Sequence, residues 1–283
     1  AIGIAALFTQ NFTTATDSHN TAVGNLAGYA VTTGIKNTLL GSRSGDALTD
    51  ADSNVAIGES ALSSDTLGSR SVAIGDSALY AQNFTTATDA YNVAIGYAAG
   101  NAITTGQFNV AVGGRALDAS TTAWSNTAIG DRALSTDTRG QSSTAVGYRA
   151  LTTQNFTTAT DVYNVAVGFN TGVSVTTGVQ NTLIGALAGD ALTDADFNTA
   201  FGHEALGSDT LGSKSVALGM NALRDQNFTT ATDSLNVAVG YDAGISVTTG
   251  IENTLIGALA GDALTDADFN VVIGTDALAT DTL

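Results

Sequence analysis

The chain has no cysteine and no proline, one tryptophan, one methionine and two histidines in 283 residues. Without cysteine there is neither a disulfide framework nor a thiolate metal site, and thiols give no reading of redox compartment. Positive charge is scarce: nine Lys plus Arg stand against 26 Asp plus Glu, a formal net charge of −17. Such a surface repels nucleic-acid phosphates and anionic membranes at long range, which argues against nucleic acid as a partner. No run of about 18 apolar residues is present for a membrane span, and no charged, then apolar, leader opens the chain.

What the sequence has instead is repetition. The phrase Asn54-Val55-Ala56-Ile57-Gly58 returns at Asn20 to Gly24, Asn92 to Gly96, Asn126 to Gly130, Asn164 to Gly168 and Asn236 to Gly240. Its glycine marks sixteen places from Gly3 to Gly274, at intervals of 21, 17, 17 and 17 that recur, so four units make a super-repeat of 72 residues. Fixed self-similarity of this kind predicts units that pack mainly on their neighbours, a single array over 1–283 with super-repeats at 3–74, 75–146, 147–218 and 219–283. The first residues, Ala1-Ile2-Gly3, are the end of the phrase, and Asp281-Thr282-Leu283 stops before the glycine that follows Asp65-Thr66-Leu67. The expectation is a segment of a longer protein, with caps and any tip domain elsewhere.

Each unit has its own signature. The first carries the four extra residues and an almost unchanging insert, Gln10 to Asp17, Gln82 to Asp89, Gln154 to Asp161 and Gln226 to Asp233. The second carries Thr32-Thr33-Gly34 and its equivalents, where a glycine free to take positive φ suits a turn. The third carries Gly45 to Asp52, repeated at Gly189 to Asp196 and Gly261 to Asp268 but replaced by Arg115 to Ser120 in the second super-repeat. The fourth carries Ser64 to Gly68 and relatives.

Within every unit apolar residues alternate with period two, a strand signal. In Val55-Ala56-Ile57 the β-branched residues face one side and alanine the other. Alanine stands three residues after the marker in fourteen of sixteen units, with Ser44 and Thr171 the exceptions. Seventeen residues at roughly 3.3 Å each make room for two short strands and two turns, one coil of a parallel β-solenoid. About 16 such coils at ~4.8 Å would form a rod of roughly 75 Å. Stacking places Val and Ile in an apolar ladder and Asn20, Asn37 and Asn54, with their equivalents Asn92, Asn164 and Asn236, in an amide ladder, interrupted once per super-repeat by Ser71, Ser143 or Ser215. Buried amides of this kind must be satisfied by one another and by turn backbone. The thin core of a small coil predicts lateral association into an oligomer.

On these residues the Asn-Val-Ala-Ile-Gly phrase resembles the head repeat of trimeric autotransporter adhesins. The longer Asn-Thr-Ala-Val-Gly, Ala-Leu, Thr-Thr-Gly form resembles phage tail-fibre repeats. The resemblance covers essentially the whole chain and implies a left-handed parallel β-roll with three chains side by side. It places Val23, Ile57 and Ile95 in each chain's core, while the repeat itself gives structural roles to Gly24, Gly58, Gly96, Gly168 and Gly240 and to Ile57, Ile95, Val167 and Val239. Two departures favour the fibre: the coils are longer than the adhesin head's, and alanine stands where that family has serine.

Chemistry is sparse. His19 and His203 are the only histidine bases and neither recurs at 72 residues, so no catalytic site is expected. The hexapeptide acyltransferase helix needs an apolar residue every sixth position, but that step from Ile57 reaches Ser63 and Ser69. No cofactor is expected. Calcium is the one metal the residues suggest, through Asp46, Asp50 and Asp52, Asp190, Asp194 and Asp196, and Asp262, Asp266 and Asp268, because hard oxygen ligands at turns suit it. Exposed turn aspartates are ordinarily just solvated. Phe12, Phe84, Phe156 and Phe228 could offer an aromatic surface to a glycan, or could fold back over a coil edge. Ice binding is disfavoured, since Thr13-Thr14-Ala15-Thr16 occurs in one coil of four.

The expectation is therefore the structural shaft of a trimeric extracellular or virion fibre, partnered by its own copies and presenting a receptor-binding region to a cell-surface glycan or protein. The alternatives are an adhesin head whose flank binds glycan or matrix, and a calcium-dependent surface-layer or filament subunit.

Overall fold

The computed structural model describes residues 1–280, so the terminal Asp281-Thr282-Leu283 lies outside the described residues. Among the described residues the chain is all-β, without helix: a parallel β-solenoid of about fifteen turns. It divides into two compact units, residues 1–141 with 157–160 and residues 142–156 with 161–283. In the first, seven strands pair in parallel in sequence order: Thr21–Val23, Thr38–Leu40, Val55–Ile57, Val72–Ile74, Val93–Ile95, Val110–Val112 and Thr127–Ile129. Ile2 adds a bridge to Val23. In the second, eight strands run from Thr144–Val146 to Val271–Ile273 in the same way.

Register follows the marker rather than the residue count. Val55 pairs with Val72 across a 17-residue coil, and Val72 with Val93 across a 21-residue coil, so the extra four residues are looped out of the stack. Two strands per coil were expected. One is present in every coil, and a second, of two residues, only where a fourth unit meets a first: Gly68–Ser69 on Thr88–Asp89 and Gly212–Ser213 on Thr232–Asp233. The reason lies in the backbone. Three positions per coil sit in the left-handed region, for example Arg43 (φ 55°), Gly45 (φ 55°) and Ser53 (φ 60°), and each interrupts an extended run. The turns are nonetheless paired coil to coil, as in Gly45 N–H to Ala61 C=O at 2.9 Å and Leu62 N–H to Ala78 C=O at 3.0 Å.

The marker glycines stack as a column in each unit. Gly58 has φ 135°, and a Cβ placed on it would lie 2.4 Å from the carbonyl oxygen of Gly75. Gly34 tells a different story from the one expected. It does not take positive φ; it is glycine because a Cβ would meet the carbonyl oxygen of Ala51 at 2.4 Å.

The alternation along the strands is as read, but its inside and outside are reversed. Ala22, Leu39, Ala56, Ala94, Ala166 and Ala238 are fully buried. Val23, Ile57 and Val239 are only half-buried, and Ile95 and Val167 are 37% and 36% exposed. The β-branched ladder therefore faces out of the chain, not into its core. Volume decides this: the interior is already filled by the leucines of other positions. Leu62 and Leu79 fill it in the fourth and first units, whereas Gly28 and Gly45 in the second and third leave space for Leu39, whose methyls lie 2.6 Å and 2.8 Å from where their Cβ atoms would be. The second super-repeat exchanges the two choices, with Ala111 in place of Leu39 and Leu117 in place of Gly45, which conserves interior volume.

Candidate functional site

The insert is where the uniform coil is broken, and the structure gives it an internal anchor. Asp65, Ser71, Gln82 and Asn92 are fully buried. The Oδ1 of Asp65 accepts the backbone N–H groups of Gly68 and Phe84 at 3.0 Å each, and its Oδ2 accepts Nε2 of Gln82 at 2.6 Å. That Nε2 also donates to the Ser71 hydroxyl at 3.0 Å, while Oε1 of Gln82 accepts Nδ2 of Asn92 at 2.9 Å. Asp209, Ser215, Gln226 and Asn236 repeat the arrangement.

This network explains the serines that interrupt the amide ladder. Elsewhere the ladder is continuous: Asn37 N–H donates to Asn20 Oδ1 at 2.8 Å, Asn54 N–H to Asn37 Oδ1 at 2.9 Å, and Asn54 Nδ2 to the Gly68 carbonyl at 2.9 Å. At Ser71 the side chain is shortened and Gln82, arriving from the insert, occupies the place and passes the hydrogen-bond chain on to Asn92. The amide ladder was legible in the sequence. The role of Asp65, Gln82 and Gly68 was not, although the joint recurrence of Asp, Ser and Gln once per super-repeat was its signal.

Phe84, Phe156 and Phe228 are buried, at 5%, 8% and 6% exposure, and Phe12 is half-buried. Phe84 packs over Gly68, where a Cβ would stand 2.8 Å from its ring. The rings of Phe84, Phe156 and Phe228 close the coil edge and do not present an aromatic face to a glycan, and Phe12 is covered only in part. Exposed aromatics occur elsewhere: Tyr91 stacks on Phe108 with Arg70 over its other face at 5.7 Å, and Tyr148 stacks on Phe169.

The aspartates read as calcium ligands are dispersed rather than gathered. Asp50 Oδ1 accepts the Thr33 hydroxyl at 2.6 Å and Asp52 Oδ1 the Ile35 N–H at 2.8 Å; Asp194 and Asp196 repeat this with Thr177 and Val179. Asp266 accepts the Thr265 hydroxyl and Asp268 the Ile251 N–H. Asp46, Asp190 and Asp262 lie half-buried at the opposite end of the turn. The carboxylates of Asp50, Asp52, Asp194, Asp196 and Asp268 each tie one coil to its neighbour and are not directed at a common point. Among the described residues no group of three or more His, Asp or Glu is placed to hold a metal ion. Burial pushes the carboxyls of Asp46, Asp118 and Asp190 above their ordinary range, against the opposing pull of Arg43 on Asp46 and of Arg115 and Arg132 on Asp118.

His19 is exposed, and His203 lies 3.9 Å from Glu204 with both half-exposed. A depression of about 150 Å³ nearby is lined by Asp190, Glu204, Ser208 and Arg224, but the Arg224 guanidinium is engaged by Asp225 at 2.8 Å and 3.0 Å. This grouping occurs once and pairs no nucleophile with a base. Among the described residues no helix is long and apolar enough to cross a membrane.

The outer face of the strands is a surface feature that repeats from coil to coil. Its first strand position is Thr or Val in every coil and its third is Val, Ile, Leu or Phe, with no charged residue at either. Leu40, Ile95, Ile129, Phe201 and Ile256 are 37% to 51% exposed there.

The fold thus belongs to the class of parallel β-solenoid repeat proteins. Comparison of the chain with protein-family models, with curated proteins and with solved structures gives no match.

Proposed function

We propose that the chain is a segment of the shaft of a trimeric extracellular or virion fibre, a spacer that holds a receptor-binding region away from a body. One observation carries this reading: in a chain of net charge −17, two columns of the outer strand face in each unit are free of charge and apolar or threonine. Contiguous exposed apolar surface on a soluble chain marks an interaction site. The occupant fitted to it is a further copy of the same chain, because only a partner with the same coil spacing meets the columns in register along their length. A cyclic arrangement of identical faces closes without leaving an open edge. Near-uniform repetition suits a spacer, whose requirement is stiffness, and the resemblance to fibre and adhesin repeats points the same way.

The test is the mass of the purified chain in solution by sedimentation equilibrium, with electron microscopy of the particle. Three copies in a slender particle support the reading. A monomer at micromolar concentration removes it.

A further inference from the structure

The four inserts share a sequence pattern beyond the buried Asp–Gln network: Asn11-Phe12-Thr13, Asn83-Phe84-Thr85, Asn155-Phe156-Thr157 and Asn227-Phe228-Thr229. Asparagine occurs twenty times, and only in these four places is it followed two residues on by Ser or Thr. Asn-x-Ser/Thr with x other than proline is the acceptor pattern for N-linked sugar. The insert is copied unchanged through all four super-repeats, so the acceptor pattern recurs at one position of the super-repeat and nowhere else.

The structure turns the acceptor outward. Along the insert Gln82 and Phe84 are buried, whereas Asn83 and Thr85 are exposed, as alternation along an extended segment requires. The buried ring pins the middle of the triplet and leaves amide and hydroxyl on the same, solvent side. Asn155 with Thr157, Asn227 with Thr229 and Asn11 with Thr13 are exposed in the same way. The carboxamide is held through its oxygen: Asn83 Oδ1 accepts the Thr66 hydroxyl and Asn227 Oδ1 the Thr210 hydroxyl, at 3.1 Å each. Most other asparagines are the buried ladder, for example Asn37, Asn54 and Asn181 at 0% exposure, closed to any enzyme. Around the acceptor the exposed neighbours are small, Thr85, Thr86 and Ala87. The insert stacks at the corner formed with Thr66 and Thr104, so a sugar there leaves the outer strand face uncovered.

We propose that the inserts are glycan acceptors, with Nδ2 of Asn11, Asn83, Asn155 and Asn227 each carrying an N-linked sugar. In the transfer Nδ2 attacks the anomeric carbon of a sugar activated as a nucleotide- or lipid-linked diphosphate. The N–C bond forms as the bond to the diphosphate breaks, the diphosphate leaves with the electron pair, and the amide proton passes to a base of the transferase. The inference does not rest on the trimer reading.

The test is peptide mapping by mass spectrometry of the full chain isolated from the cells that make it, before and after an N-glycosidase that leaves Asp in place of each modified Asn. Sugar mass on the four insert peptides and on no other asparagine is the expected result. Thr85→Ala is expected to remove the modification at Asn83 alone and Thr85→Ser to keep it, with both variants melting like the parent because Thr85 is exposed. Bare asparagine at all four positions, sugar on the threonines instead, or equal loss in the Ala and Ser variants would overturn the proposal.

Discussion

At the scale of single residues this chain uses backbone conformations that its side chains would not advertise. Among the described residues forty other than glycine have φ between 50° and 64°, including fully buried leucines such as Leu62, Leu79 and Leu134. The left-handed region disfavours such side chains, and coil-to-coil hydrogen bonds hold them there. The marker glycines cannot be replaced in that way. Gly58→Ala places a Cβ against the Gly75 carbonyl at a φ of 135°, so a loss of about 3 kcal/mol or more in chemical denaturation is expected. The half-buried carboxyls give a pH signature. A carboxyl whose folded pKa lies above the unfolded 3.8 binds its proton more readily in the folded chain. Its stabilising contribution is complete below 3.8 and is lost as pH rises through the raised value. Combining Asp46→Asn, Asp118→Asn and Asp190→Asn is therefore expected to raise the thermal midpoint at neutral pH and to leave it nearly unchanged at pH about 3, read by thermal scans at both.

At the scale of the coil, two kinds of interior alternate. The second and third units are apolar, built on Val31, Leu39 and Leu48; the fourth and first combine Leu62 and Leu79 with the buried Asp65–Gln82 pair. Each implies a test. Leu39→Ala alone is expected to cost about 2–4 kcal/mol, and Gly45→Leu alone about 1–3 kcal/mol because its side chain overlaps Leu39 and Leu48. The triple variant with Leu48→Ser as well recreates Ala111, Leu117 and Ser120, and urea titration should show it losing less than the two single costs combined. The polar pair has a fixed proton direction. In Asp65→Asn an amide would face the Gln82 amide, and Gln82 cannot flip without losing Asn92, so a loss of about 1–3 kcal/mol is expected in the same titration.

At the scale of the whole molecule, charge and apolar surface are separated. The acidic residues that give −17 lie outside the fifteen stacked three-residue strands, whose outer columns carry none. Like-charged copies can approach only where the charge is absent, which is the physical content of the association proposed above. Ile95→Lys with Ile129→Lys is expected to lower the mass in sedimentation to that of one chain while leaving the thermal unfolding of that chain cooperative. Both residues are more than a third exposed on the outer strand face, while the interior of those strands is held by the buried Ala94 and Ala128.

The repeat period, the parallel register and the amide ladder follow from the sequence alone, because each depends only on spacing: equivalent residues stack wherever coils have equal length, and the surplus of 21 over 17 must loop out. Which face of Val55-Ala56-Ile57 is interior does not follow, since both faces are apolar and pattern cannot rank them. The space left by Leu62, Leu79 and Leu39 decided it in favour of alanine. Tertiary structure alone likewise joined Asp65, Ser71, Gln82 and Asn92, residues up to 27 apart in sequence, into one buried chain of hydrogen bonds, and separated aspartates that are near neighbours in sequence. Spacing fixes what is stacked; volume and hydrogen-bond direction fix which way each side chain points.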